Sequence, residues 1–129
     1  MIGKAEGNSL VRAKELQGRM KTFALRIIRM FRSLPKTEEA RILGRQVLRS
    51  GTSVAANYRA ACRARSKAEF VAKLGVVVEE ADETVFWLEL LVESGIVARE
   101  KLADLLEEAD ELLAIVAASR RTARKGSGD

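Results

Sequence analysis

Arg41, Arg45 and Arg49 stand at i, i+4 and i+8, and Arg59 and Arg63 follow the first two by eighteen residues, which is five turns of an α-helix. One helical face would therefore carry five guanidinium groups. Each is planar, permanently charged and able to grip phosphate oxygens in pairs or to stack on a base or on Tyr58. The plainer use of such a row is a solvated or salt-bridged surface. Arg12, Arg19 and Arg26 repeat at seven-residue spacing, with Lys14, Lys21, Arg29 and Arg32 nearby, and Arg120, Arg121, Arg124 and Lys125 lie close to the end of the chain. The expectation is a surface that tracks nucleic-acid phosphates, with Arg19, Arg26, the five arginines of the row and the four terminal cations as its contacts. No base-reading code is evident, so recognition would lean on backbone and shape.

Other chemistry is poorly supplied. The chain has no His and one Cys, which removes the commonest general base, the commonest transition-metal ligand and any disulfide framework. Ser50, Ser53 and Cys62 have no imidazole to activate them, and neither a Gly-x-Ser-x-Gly elbow nor a phosphate-cradling Gly-x-x-x-x-Gly-Lys occurs. They are better read as small residues that let helices approach. Glu79, Glu80, Asp82, Glu83, Glu107, Glu108, Asp110 and Glu111 are numerous, but a di-iron bundle needs His beside its carboxylates, so a solvated acidic face is expected. Neither catalytic residues nor a metal or other cofactor is expected, and the protein is read as no enzyme.

The elements that must position the arginines follow from the apolar spacing. Leu16, Met20, Phe23, Ile27, Met30 and Leu34 recur at alternating four- and three-residue steps, the mark of a helix burying one narrow face, and the run ends before Pro35. Thr37 is a plausible N-cap with Glu38 and Glu39 in the first turn; the second seam is Leu43, Val47, Ser50, Val54, Asn57 and Ala61. Ser66 to Glu69 reads as a capping box. A third helix then carries Phe70, Leu74, Val77, Ala81, Thr84, Leu88 and Leu91, with Gly95 beyond its end. Leu102, Leu106, Ala109, Leu113 and Val116 mark the fourth. Four such helices on short connections predict an all-α, antiparallel up-down-up-down bundle over residues 12–121, with residues 1–11 and a basic tail, 122–129, expected to be disordered.

At 129 residues the chain fits one domain, and with 5% aromatics its core must come from Leu, Val, Ile, Ala and Met. Charge is unevenly placed: residues 1–65 carry +11, 66–119 carry −9 and 120–129 carry +3. Opposite halves attract, within one fold or between copies. Val71, Val78, Val85 and Val92 make a second apolar line on helix three beside its seam, and Phe86 lies near its end. In a monomer this is a wide buried stripe; the preferred reading is a subunit interface in a head-to-tail ring. No apolar stretch is long enough for a membrane span or a signal core, so a soluble cytoplasmic protein without membrane contact is expected.

The segments Arg49-Ser-Gly-Thr-Ser-Val-Ala-Ala-Asn-Tyr-Arg59, Cys62-Arg-Ala-Arg-Ser66, Phe70-Val-Ala-Lys-Leu74, Glu80-Ala-Asp-Glu-Thr84 and Trp87-Leu-Glu-Leu-Leu91 resemble the bacterial 23S rRNA intervening-sequence proteins, over roughly residues 20–118. That family looks related to the accessory variability protein of diversity-generating retroelements, a basic barrel-shaped homopentamer that binds nucleic acid and partners a reverse transcriptase. The resemblance implies an all-α subunit, a ring of five and a role that is not enzymatic. It implies packing roles for Ser50, Ser53 and Asn57 and a core or interface position for Trp87. Ala60 stands where an acid is expected after Asn57-Tyr58-Arg59, which removes a partner for Arg59 or Arg63. The expected function is thus binding of structured RNA or RNA–DNA hybrid by a homo-oligomer, with a reverse transcriptase as a further partner. The alternative is a scaffold whose charges serve subunit pairing and protein partners.

Overall fold

The structure, a computed structural model, describes residues 4–126, with side chains from Gly7 onward. Four helices account for nearly all of it: α1 (Lys4–Ser33), α2 (Glu38–Cys62), α3 (Lys67–Glu93) and α4 (Arg99–Lys125). No strand occurs among the described residues. The local signals act where the sequence places them. Thr37 has extended backbone and its hydroxyl accepts from the Ala40 N–H at 3.4 Å, while Ser66 accepts from the Glu69 N–H at 3.1 Å. Glu69 reaches back to the Arg65 N–H at 3.3 Å, one residue earlier than a regular capping box. Gly95, at φ 81°, turns the chain after α3, and the Val97 N–H then returns to the Leu91 carbonyl at 3.0 Å.

The four helices form a bundle around one core that includes Met20, Phe23, Ile27, Val47, Val54, Leu74, Val77, Leu88, Leu91, Leu112 and Val116. Close approach depends on small residues of α2. A β-carbon on Gly51 would come within 3.0 Å of Ile27, and one on Gly44 within 2.6 Å of the Leu34 side chain. At the α2–α3 contact the small residues are polar: Ser50 and Thr84 are fully buried, the Thr84 hydroxyl lies 2.9 Å from Ser50 Oγ, and the Ser50 hydroxyl donates to the Gln46 carbonyl at 2.9 Å. Satisfied in this way, two hydroxyls can occupy a core without the penalty of an unpaired polar group.

Two seams differ in register from the sequence expectation. On α4 Leu105 and Leu112 are buried, and Leu106 and Leu113 are only half-buried; four adjacent leucines satisfy either register, and the position of the neighbouring helices chooses. On α2 the buried residue is Tyr58, with Asn57 half-exposed and donating to the Ser53 carbonyl at 2.9 Å. Both outer helices are also longer than the span 12–121. α1 begins at Lys4, although Leu10 and Val11 are exposed. α4 continues to Lys125, and Lys67 Nζ donates to the Gly126 carbonyl at 2.9 Å. Expectations for residues 1–3 and 127–129 lie outside the described residues.

Candidate functional site

The four arginines of α2 in this row and Arg63, the residue that caps its C-terminus, divide into two sets. Arg41, Arg45, Arg59 and Arg63 are exposed and form no ion pair among the described residues. At 100° per residue they fall within a 40° arc opposite the buried positions of the helix. Arg49 lies 80° from Arg41, on the shoulder turned towards α3. There it is held by Glu80 at 3.2 Å, by Glu83, and by the Gln46 amide oxygen at 3.2 Å. Glu83 also accepts from Trp87 Nε1 at 3.0 Å. Arg49 therefore fastens α2 to α3 and differs from the other four arginines of the row in having acidic partners.

Two of the heptad arginines of α1, Arg12 and Arg19, lie beside α4. Arg19 grips Glu108 through two nitrogens at 2.6 and 3.2 Å, with Glu111 at 3.6 Å, and its pKa is raised, chiefly by the hydrogen bond to Glu108. Arg26 is half-buried. Arg12 and Arg19 border a groove of about 700 Å³ between α1 and α4, whose other walls include Leu16, Tyr58, Phe70 and Ile115. Near the chain end the cations also part company. Arg120 Nε donates to the Val71 carbonyl at 3.1 Å and its guanidinium lies over Gly75, so it is a structural residue joining α4 to α3. Arg121, Arg124 and Lys125 are exposed on the last turns of α4, where cations suit the helix dipole.

The valine line is absorbed mostly by the bundle. Val92 is buried, Val78 and Val85 pack against the core, and Val71 is half-buried beside Arg120. Each valine follows a seam residue by one position, 100° around the helix, and the drift of about 20° per heptad brings the C-terminal members of the line round to the core. Apolar surface left outside consists of Phe86, 50% exposed and edge-on to Trp87 at 5.1 Å, together with Val76 on α3 and Ile42 on α2.

A basic pocket that the arginine spacing did not reveal sits at the α1–α2 turn. Its volume is about 280 Å³, and Phe31, Arg32, Leu34, Pro35, Lys36, Ala40, Arg41 and Arg45 line it. The sequence signal was available: Arg32, Lys36, Arg41 and Arg45 bracket the chain's single proline at four- and five-residue steps.

The remaining candidate nucleophiles serve packing. Ser50 is locked by its two hydrogen bonds, and Ser53 Oγ accepts from Asn57 at 2.7 Å. Burial pushes the Tyr58 phenol above its ordinary pKa, assisted by the adjacent Cys62 thiol and a hydrogen bond to it. Among the described residues no cluster of His, Cys, Asp and Glu could hold a metal ion, and no helix is long and apolar enough to cross a membrane.

Comparison with known proteins supplies a family. A crystal structure of a protein of unknown function from the S23 ribosomal protein family of Bacteroides thetaiotaomicron VPI-5482 superposes with a TM-score of 0.79 at 31% identity. The match covers 84% of this chain and 97% of that one. No curated protein matches the chain. The sequence profile of the 23S rRNA-intervening sequence proteins matches residues 14–118, the span that holds the four-helix core and the outer arginine face of α2, and the chain belongs to that family.

Proposed function

We propose that this protein is a cytoplasmic, non-enzymatic homo-oligomer that binds structured RNA or RNA–DNA hybrid through the outer face of α2. The observation that carries this reading is the set of exposed arginines at 41, 45, 59 and 63, which no carboxylate of the described chain neutralises. A helix rises 1.5 Å per residue, so the face extends about 33 Å and spans several phosphates. Contacts of this kind are insensitive to base sequence. The finer architecture is an antiparallel bundle in a ring of five. Opposed register supports the antiparallel arrangement: Ile27 meets Gly51 while Leu34 meets Gly44, and Val71 meets Arg120 while Lys67 meets Gly126. The ring and a reverse-transcriptase partner rest on the family resemblance, with the exposed Phe86 and Val76 available for subunit contact.

The test is fluorescence anisotropy with labelled structured RNA, duplex and hybrid across a salt series. Binding should weaken log-linearly with salt, and Arg59→Gln with Arg63→Gln should lower affinity and the slope together. Absence of binding to all three at low salt would refute the reading. A scaffold role is favoured in its place by one observation, the neutralisation of Arg19 and Arg49 by acidic residues of α4 and α3. In that case the α2 substitutions should alter the assembly seen by light scattering.

A further inference from the structure

The pocket at the α1–α2 turn has a composition that the α2 face lacks. Four of its eight lining residues, Arg32, Lys36, Arg41 and Arg45, are cationic, none is acidic, and the other four, Phe31, Leu34, Pro35 and Ala40, are apolar. None of the four cations is in an ion pair among the described residues. Like charges gathered without an anion repel one another, and an anionic ligand would relieve the repulsion. A duplex backbone presents only phosphate and sugar, and would leave the apolar half of the lining unused. Inorganic phosphate would do the same. The complementary group is a flat, largely apolar body joined to a phosphate. The volume, about 280 Å³, lies at the small end of ligand pockets and admits one such group but no stacked run.

We infer that this pocket receives one unstacked nucleotide of a bound strand, its base against Phe31 and Pro35, the apolar lining residues that reach the surface, and its phosphate at the rim of Arg32, Lys36, Arg41 and Arg45. The inference rests on the nucleic-acid reading above and adds to it a preference for ends, bulges and loops over continuous duplex, since an unpaired base is free to leave the stack.

The experiment is NMR of the full chain titrated with AMP, adenosine or inorganic phosphate, read at Phe31 and Ala40. AMP should shift both, and the other two should need at least about tenfold higher concentration, as expected when a charge-assisted contact or the base is missing. Arg32→Gln and Lys36→Gln replace exposed residues outside the α2 row. Each should weaken AMP about tenfold while leaving binding of a covalently closed duplex unchanged. Closed duplex bound with no AMP shift, or with phosphate as effective as AMP, would overturn the pocket and leave the α2 reading standing. AMP shifts without binding of any polynucleotide would instead refute the α2 reading and keep the pocket as a mononucleotide site. Shifts from an acidic phenylalanine-containing peptide and none from AMP would overturn the inference in favour of a protein partner.

Discussion

The two shoulders of α2 use one residue type in opposite ways. Towards α3, Arg49 is held by Glu80, Glu83 and Gln46, beside the buried Ser50–Thr84 pair. Towards solvent, Arg41, Arg45, Arg59 and Arg63 face no carboxylate. The separation is only 40° to 80° around the helix. A partly exposed ion pair contributes little stability, on the order of 1 kcal/mol or less, so Arg49 mainly fixes which acidic face lies beside α2. The other four arginines form no ion pair among the described residues, and their charge stays on the surface. Folding therefore neutralises one edge of the basic half of the chain and leaves another charged.

The inner shoulder is the more sensitive to substitution. Ser50→Leu would overfill the α2–α3 contact and break the hydroxyl pair with Thr84, whose hydroxyl keeps the Glu80 carbonyl at 2.7 Å. It should cost about 3 kcal/mol, read as a fall in the urea midpoint, whereas Arg59→Gln should change stability by less than about 0.5 kcal/mol. Equal effects would show that the two faces are not distinct. Binding sharpens the contrast. Arg59→Gln with Arg63→Gln should reduce the slope of log K against log salt by about 1.8, from a contribution of about 0.9 per phosphate contact. Arg49→Gln should leave that slope unchanged and cost about 1 kcal/mol or less of stability.

The smallest expected effect concerns Tyr58, the only tyrosine. Its pKa is raised in the folded chain, so the neutral phenol is common to folded and unfolded states below about pH 10. Above that the unfolded chain ionises first, and stability falls as pH rises towards the folded value. Absorbance at the phenolate band should show no ionisation of the native protein at the ordinary tyrosine pKa. Tyr58→Phe should lessen the alkaline loss of Tm, and an unchanged loss would assign it to other groups.

Trp87 illustrates how burial alters an expectation. It is half-buried and bonded to Glu83, so truncation should cost less than the roughly 3–5 kcal/mol of a fully enclosed aromatic.

The features legible in the sequence are local. Helix existence, the Thr37 and Ser66 caps, the turn at Gly95 and the α1 and α3 seams follow from periodicity and from hydrogen bonds within a few residues. The angular grouping of the α2 arginines is equally local. Tertiary structure decided whatever depended on a neighbouring helix: the capture of Arg49 and Arg19, the use of Arg120 over Gly75, the burial of Leu105 and Leu112, and the intake of the valine line. Spacing fixes an angle around one axis, but a side chain's partner also depends on where the next axis lies and at what height. The basic pocket belongs to that second class, because Arg32 and Arg45 are drawn to one cavity only when Phe31 and Leu34 pack closely on Gly44.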